Sequence, residues 1–152
     1  MFSKEYILQH EDELRNELVG EAKKWLGAKY HVNAMLQYKA CDCHTLLIMV
    51  YEACGLIQKN TKPIFYRPDF SFHSKEETYL KGLQKYGSAT EEYKPGDIIL
   101  YRYAKLIDHT AIIINSEGLM LDSCITRGVA YGDYNQDINK SREVAVYTIF
   151  NK

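Results

Sequence analysis

Cys41-Asp42-Cys43-His44-Thr45-Leu46-Leu47-Ile48-Met49-Val50-Tyr51-Glu52-Ala53-Cys54-Gly55 is the stretch that decides the fold. Leu46, Leu47, Val50 and Cys54 recur at helical spacing, while Ile48, Met49 and Tyr51 widen the apolar face. A helix that is apolar nearly all round belongs in the interior. Asp42 is a favoured residue type for the N-cap, and Gly55 stands where a helix C-terminal glycine belongs. The segment therefore predicts a buried central helix over Cys43–Cys54, with Cys43 in its first turn. At that end the unpaired N–H groups and the helix dipole favour a thiolate. The same N–H groups can face an oxyanion growing on an attacked carbonyl. Alone, a cysteine at a helix start is more often a small packing residue.

Upstream, Leu14, Leu18 and Trp25 fall near one face of a charged segment that Gly27 stops, which predicts an opening helix. A loop, Ala28 to Ala40, leads to the central helix. Downstream, Asn60 to Phe72 holds all but one of the prolines and reads as loop, and Glu76 to Tyr86 reads as a helix closed by Gly87. From Pro95 onward the character changes. Ile98–Tyr103, Thr110–Asn115, Leu119–Ser123 and Val144–Phe150 are β-branched or aromatic runs, with a further short strand expected at Val129–Tyr131. Helices first and strands second, with short connections, predict an α+β domain over 1–152 whose sheet is antiparallel.

Composition narrows the functional classes. The chain of 152 residues carries a net charge of −1, with no block of like charge to form a nucleic-acid arm or membrane patch. No apolar stretch approaches the roughly 20 residues of a membrane span. Met1 to Glu13 is charged and lacks the apolar run of a secretory signal, so the expectation is cytoplasmic synthesis, with any action outside needing a carrier. Thirteen tyrosines suit an open groove for an extended polar substrate, or rings around the core with hydroxyls in water; the second is the commoner arrangement. Four cysteines, Cys41, Cys43, Cys54 and Cys124, show no disulfide framework.

Asp108-His109 opens the strand Thr110-Ala111-Ile112-Ile113-Ile114. Imidazole is the natural base for a thiol, and a strand end holds it rigidly. Asp122 follows after one hairpin, where neighbouring antiparallel strands can set its carboxylate against the ring and fix its tautomer. Cys43, His109 and Asp122 thus form a candidate nucleophile, base and orienter. Zinc is disfavoured: Cys41 and Cys43 are too close for the usual pairing, and Cys54 lies about three helical turns from Cys43. No cofactor is implied.

These residues resemble the NlpC-type family of cell-wall peptidases, especially its phage-tail branch. The likeness begins at Glu21-Ala22-Lys23-Lys24-Trp25-Leu26-Gly27 with Tyr30 and continues through Cys41-Asp42-Cys43 to Gly55. It is carried on by Tyr66-Arg67-Pro68-Asp69, similar to a loop of the phage branch, then by Pro95-Gly96-Asp97 at a strand entry, His109 and Asp122. The resemblance implies a papain-like fold and hydrolysis of a peptidoglycan stem peptide, typically between γ-linked D-glutamate and the diamino acid. It implies Cys43 as nucleophile, His109 as base, Asp122 as orienter, and Tyr30 and Asp42 lining the substrate pocket. A phage tail or another carrier is the implied route to the wall. Two positions depart from the pattern. His44 stands where relatives often have serine, which narrows the pocket or changes the substrate, and Asp122 stands where histidine is commonest. An amidase or toxin acting on another amide or ester, and a non-catalytic wall-binding or tail module, are the alternatives. Cys124 shares a strand face with Asp122 and is expected to pack there, while Arg127 is placed to meet a substrate carboxylate. His10, His31 and His73 have no assigned partner.

Overall fold

The computed structural model describes residues 1–63 and 77–151, with Thr78 described in its backbone only. The opening helix is two helices. α1 (Lys4–Gln9) is capped by Ser3, whose hydroxyl accepts from the Tyr6 N–H. It ends at His10, and α2 (Glu11–Lys23) starts afresh with Glu11, Asp12 and Glu13 in its first turn, the end where acidic charge suits the dipole. Leu14, Leu18 and Ala22 bury one face, and Trp25 packs just beyond. The expected loop at 28–40 is instead a miniature sheet of two-residue strands. β1 (Lys29–Tyr30) runs parallel to β3 (Ala40–Cys41), and β2 (Met35–Leu36) runs antiparallel to β3.

α3 (Cys43–Ala53) is the buried central helix, with Leu46, Leu47, Ile48, Val50 and Tyr51 all in the core. Burying each such side chain stabilises the fold by about 1.5–3 kcal/mol. The helix expected at Glu76–Tyr86 is described as α4 (Thr78–Leu83). Its end comes earlier than the sequence suggests, with a turn through Tyr86 before Gly87. The expected loop at Asn60–Phe72 is described only as far as Pro63, and Tyr66-Arg67-Pro68-Asp69 and His73 lie outside the described residues.

The remaining strands form one antiparallel sheet. Its members are β4 (Ser88–Thr90), β5 (Ile98–Arg102), β6 (Ile107–Ile113), β7 (Leu119–Cys124), β8 (Gly128–Asp133) and β9 (Glu143–Thr148). The order is β4-β9-β5-β6-β7-β8. A short α5 (Asp137–Arg142) precedes β9. Neither β4 nor α5 was expected, and β6 begins three residues earlier than the sequence suggests, so His109 lies within the strand. Ile98, Leu100, Ile112 and Leu121 join the helical core, whereas Ile99, Tyr101, Ala111, Ile113 and Met120 form a second apolar cluster, as alternation requires. The β5 register shifts against both of its neighbours around Tyr101, the residue paired with His109. Bulges of this kind re-aim side chains where a site is built. No helix among the described residues is long and apolar enough to cross a membrane.

Candidate active site

Cys43 is the first residue of α3, and the cap beneath it is closed on both sides. Asp42 Oδ1 accepts from the Thr45 N–H at 2.8 Å, while the Asp42 N–H donates to Thr45 Oγ1 at 2.9 Å. This reciprocal box satisfies two donors that a helix start leaves open. Asp42 Oδ2 accepts from the Asn33 N–H at 2.5 Å. Both carboxylate oxygens are therefore engaged by the chain itself, and Asp42 is fully buried. Among the described residues nothing accepts from the Cys43 N–H, which stays available at the positive end of the helix.

Two strand hydroxyls hold this turn in place. Thr110, which follows His109, donates to the Cys43 carbonyl at 3.2 Å. Ser123, which follows Asp122, donates to the Cys41 carbonyl at 3.0 Å. The strands that carry His109 and Asp122 thus also pin the loop that carries Cys43. Both hydroxyls were missed in the sequence, although each is a small polar residue in a buried strand position beside a residue already singled out.

His109 Nε2 meets Asp122 Oδ2 at 2.7 Å. The Cys43 side chain is the ring's other close partner. Burial pushes the imidazole down, but the bonds to Asp122 and Cys43, with their charges, hold it well above its ordinary value. The ring therefore favours the imidazolium, and a charged imidazole beside a sulfur at a helix start is the arrangement that activates a thiol. Tyr101 and Tyr103 flank the ring, with centroids 5.9 and 5.5 Å away.

The other cysteines lack this setting. Burial pushes Cys41 and Cys54 up to about 12, which keeps both as inert thiols. Cys124 is half-buried. Burial raises it, yet hydrogen bonds from Thr126 and Arg127 bring it below its ordinary value. Arg127 is turned inward, with Nη2 2.5 Å from Asp122 Oδ1. The expectation that it meets a substrate carboxylate gives way to this pairing, because the nearest carboxylate is the chain's own.

Tyr30 is set beside the site by its parallel pairing with Cys41. Burial, then the neighbouring Cys43, Asp42 and Cys124, push its hydroxyl up to about 12, so it is a donor at neutral pH. His44 is half-buried, its ring tilted against Tyr79 at 4.6 Å, and burial lowers its pKa. It lines a cavity of about 170 Å³ with Leu47, Ile48, Tyr79, Leu83 and Thr110. His31 is exposed, its Nδ1 against the Val32 carbonyl, and His10 lies at the α1–α2 junction. Among the described residues, no three His, Cys, Asp or Glu side chains gather as a metal site would need.

The NlpC/P60 family model matches residues 24–148, and the chain belongs to that family of cysteine peptidases and amidases. The fold is shared with solved members of low identity. A lipoprotein-like NLP/P60 protein from Staphylococcus aureus is 18% identical with a TM-score of 0.62, over 93% of this chain and 43% of that one. NlpC2 from Trichomonas vaginalis is 16% identical with a TM-score of 0.65, over 89% of this chain and 47% of that one. The NlpC/p60 domain of the peptidoglycan hydrolase SagA is 15% identical with a TM-score of 0.56, over 88% of this chain and 97% of that domain. This chain spans less than half the length of the first two. No curated protein matches the sequence.

Proposed function

We propose that this chain is a cysteine peptidase that hydrolyses an amide of the peptidoglycan stem peptide, between γ-linked D-glutamate and the diamino acid. The observation that carries the reading is the His109 ring, bonded through Nε2 to Asp122 at 2.7 Å and set beside Cys43 at the start of α3. Family membership and the likeness to a domain of a peptidoglycan hydrolase support the substrate class. The Cys43 thiolate adds to the carbonyl carbon, and the oxygen takes up the negative charge beside the Cys43 N–H. His109 gives its proton to the amine as the C–N bond breaks. The neutral ring then takes a proton from water, whose oxygen attacks the thioester and releases Cys43 as thiolate. Tyr30 donates to the bound peptide, His44 borders the groove, and Asp42 holds the Asn33 turn that shapes it. Delivery to the wall by a phage tail or another carrier belongs to the same proposal.

A second reading has one observation behind it. The cavity beside His44 is lined mainly by apolar side chains, which suits an apolar group on a different amide or ester. The experiment that separates the two is mass spectrometry of purified muropeptides after incubation with wild type and Cys43→Ala. Wild type is expected to cut the γ-glutamyl bond and Cys43→Ala to leave it intact. Absence of Cys43-dependent cleavage across the common stem-peptide types would sink the peptidase reading in favour of the second one.

A further inference from the structure

Asp122 uses both of its oxygens. Oδ2 takes His109 Nε2, and Oδ1 takes Arg127 Nη2. Arg127 is itself fixed from two further directions. Its Nη1 donates to the Tyr131 carbonyl at 2.6 Å, and its Nε donates to Cys124 Sγ at 3.3 Å. All three contacts lie in the β7–β8 hairpin, whose ladder closes with Cys124 opposite Gly128. Gly128 has φ +70°, and a Cβ there would lie 2.3 Å from the Ala28 carbonyl oxygen, so the turn that presents Arg127 has little freedom. A planar fork with donors on three edges fits this set of acceptors, whereas an ammonium, a point charge on a flexible stem, does not.

We propose that Arg127 is a positioning residue for catalysis, a fourth member that clamps Asp122 and keeps it paired throughout the reaction cycle. This rests on the Cys43–His109–Asp122 reading and deepens it. The Asp122 side chain is 4% exposed. While His109 is charged, the carboxylate has a cation on each side. When His109 passes its other proton to the departing amine, the Nε2 bond stays but the ion pair is lost, and a buried carboxylate without a counter-charge is strongly disfavoured. Arg127 remains in place at that moment, so Asp122 keeps a cation beside it and stays in plane to receive the ring's next positive charge. An aspartate as orienter therefore brings a counter-ion with it, a need that a neutral orienter would not have.

The test reads the ring directly and needs no substrate. The groups facing His109 are Asp122 from β7, Cys43 from α3, Tyr101 from β5, and Tyr103, whose own ring lies under Arg142. The bond from Asp122 is what chiefly raises the imidazole, so loosening Asp122 lets its midpoint fall, whereas loss of the Arg127 charge alone raises it. Arg127→Lys keeps the charge but not the fork and so reads the clamp alone: the His109 midpoint followed by NMR is expected to drop by about one pH unit, and the alkaline limb of Cys43 alkylation by iodoacetamide to drop with it. Arg127→Met, which also removes the charge, is expected to end above Arg127→Lys. A midpoint unchanged or raised in Arg127→Lys, or lower in Arg127→Met than in Arg127→Lys, would overturn the clamp. Muropeptide cleavage by wild type and Cys43→Ala is scored separately, so loss of the peptidase reading and loss of the clamp give different results.

Discussion

Asp97, at the entry to β5, and Asp122, within β7, are both buried aspartates that meet an arginine. Asp97 Oδ1 lies 2.9 Å from Arg15 Nη1, with side chains 1% and 8% exposed. Arg15 also donates to the Pro95 carbonyl and to Thr148, and its guanidinium covers the Phe150 ring at 4.1 Å. The contacts of that pair are structural, and together they tie α2 to the start of β5 and the end of β9. Asp122 differs in what fills its second oxygen. There a histidine that also touches a cysteine takes the place of a backbone group, and Arg127 reaches the pair from a partly exposed position. The Asp–Arg pair itself is neutral with respect to function. Its third member and its access to solvent decide whether it holds the fold or tunes a base.

The largest effect is expected on the structural side. Arg15→Met leaves Asp97 buried without its cation, which costs about 3–5 kcal/mol at neutral pH. For a chain of this size that is a fall in Tm of about 10 °C or more by calorimetry. Burial already holds Asp97 above its ordinary 3.8 despite Arg15 and Thr148. A carboxyl raised in the folded state favours folding fully below its unfolded value and loses that contribution as pH rises through the folded one. The deficit of Arg15→Met is therefore expected to shrink towards pH 4. A deficit that stayed constant from pH 7 to pH 4 would mean that Asp97 is not the group left stranded. Cleavage per folded molecule is expected to be unchanged, which separates this pair from the other.

Asp122→Asn is the matching change at the site, and its effect should fall on chemistry. The amide keeps the shape but cannot favour an imidazolium, so kcat/KM is expected to drop by roughly a hundredfold or more while Tm moves little. The pH dependence carries a sign. The folded His109 value is raised, so the imidazolium contribution to stability is complete below about pH 6.5 and is lost as pH rises through the folded value. The difference in Tm between wild type and Asp122→Asn should therefore narrow on the alkaline side. A gap that widened there would place the stabilising charge elsewhere.

The two aspartates were legible in the sequence to different degrees. Asp122 could be read because alternation and one hairpin set it against His109, and Cys43 because an apolar helix needs a start. Asp97 was seen as a strand entry, but its partner is 82 residues away, and no local pattern shows such a pairing. Arg127 was noticed and assigned the wrong acceptor, since sequence gives the turn but not the direction of a long side chain. The strands of the 28–40 segment were invisible for another reason. Two residues contain no period. The bulges at Tyr101 arise from pairing with both neighbours at once, which no single strand records.

The smallest effect tests how far the site depends on the scaffold beneath it. Thr45 is fully buried, and its hydroxyl accepts from the Asp42 N–H while Asp42 accepts from the Thr45 N–H. Thr45→Val keeps the side-chain shape and removes the acceptor, which leaves a buried N–H open and loosens the cap. The expected cost is about 1–2 kcal/mol by denaturant titration. Cys43 sits on that cap, so kcat/KM should also fall by a few-fold, with the pH limbs unmoved because neither His109 nor Asp122 has changed its partners. Thr45→Ser, which restores the acceptor, is expected to recover both quantities. If Thr45→Val lost stability but kept full kcat/KM, the Thr110 and Ser123 hydroxyls alone would be enough to hold the nucleophile, and the cap would belong with Asp97 among the parts that only keep the molecule folded.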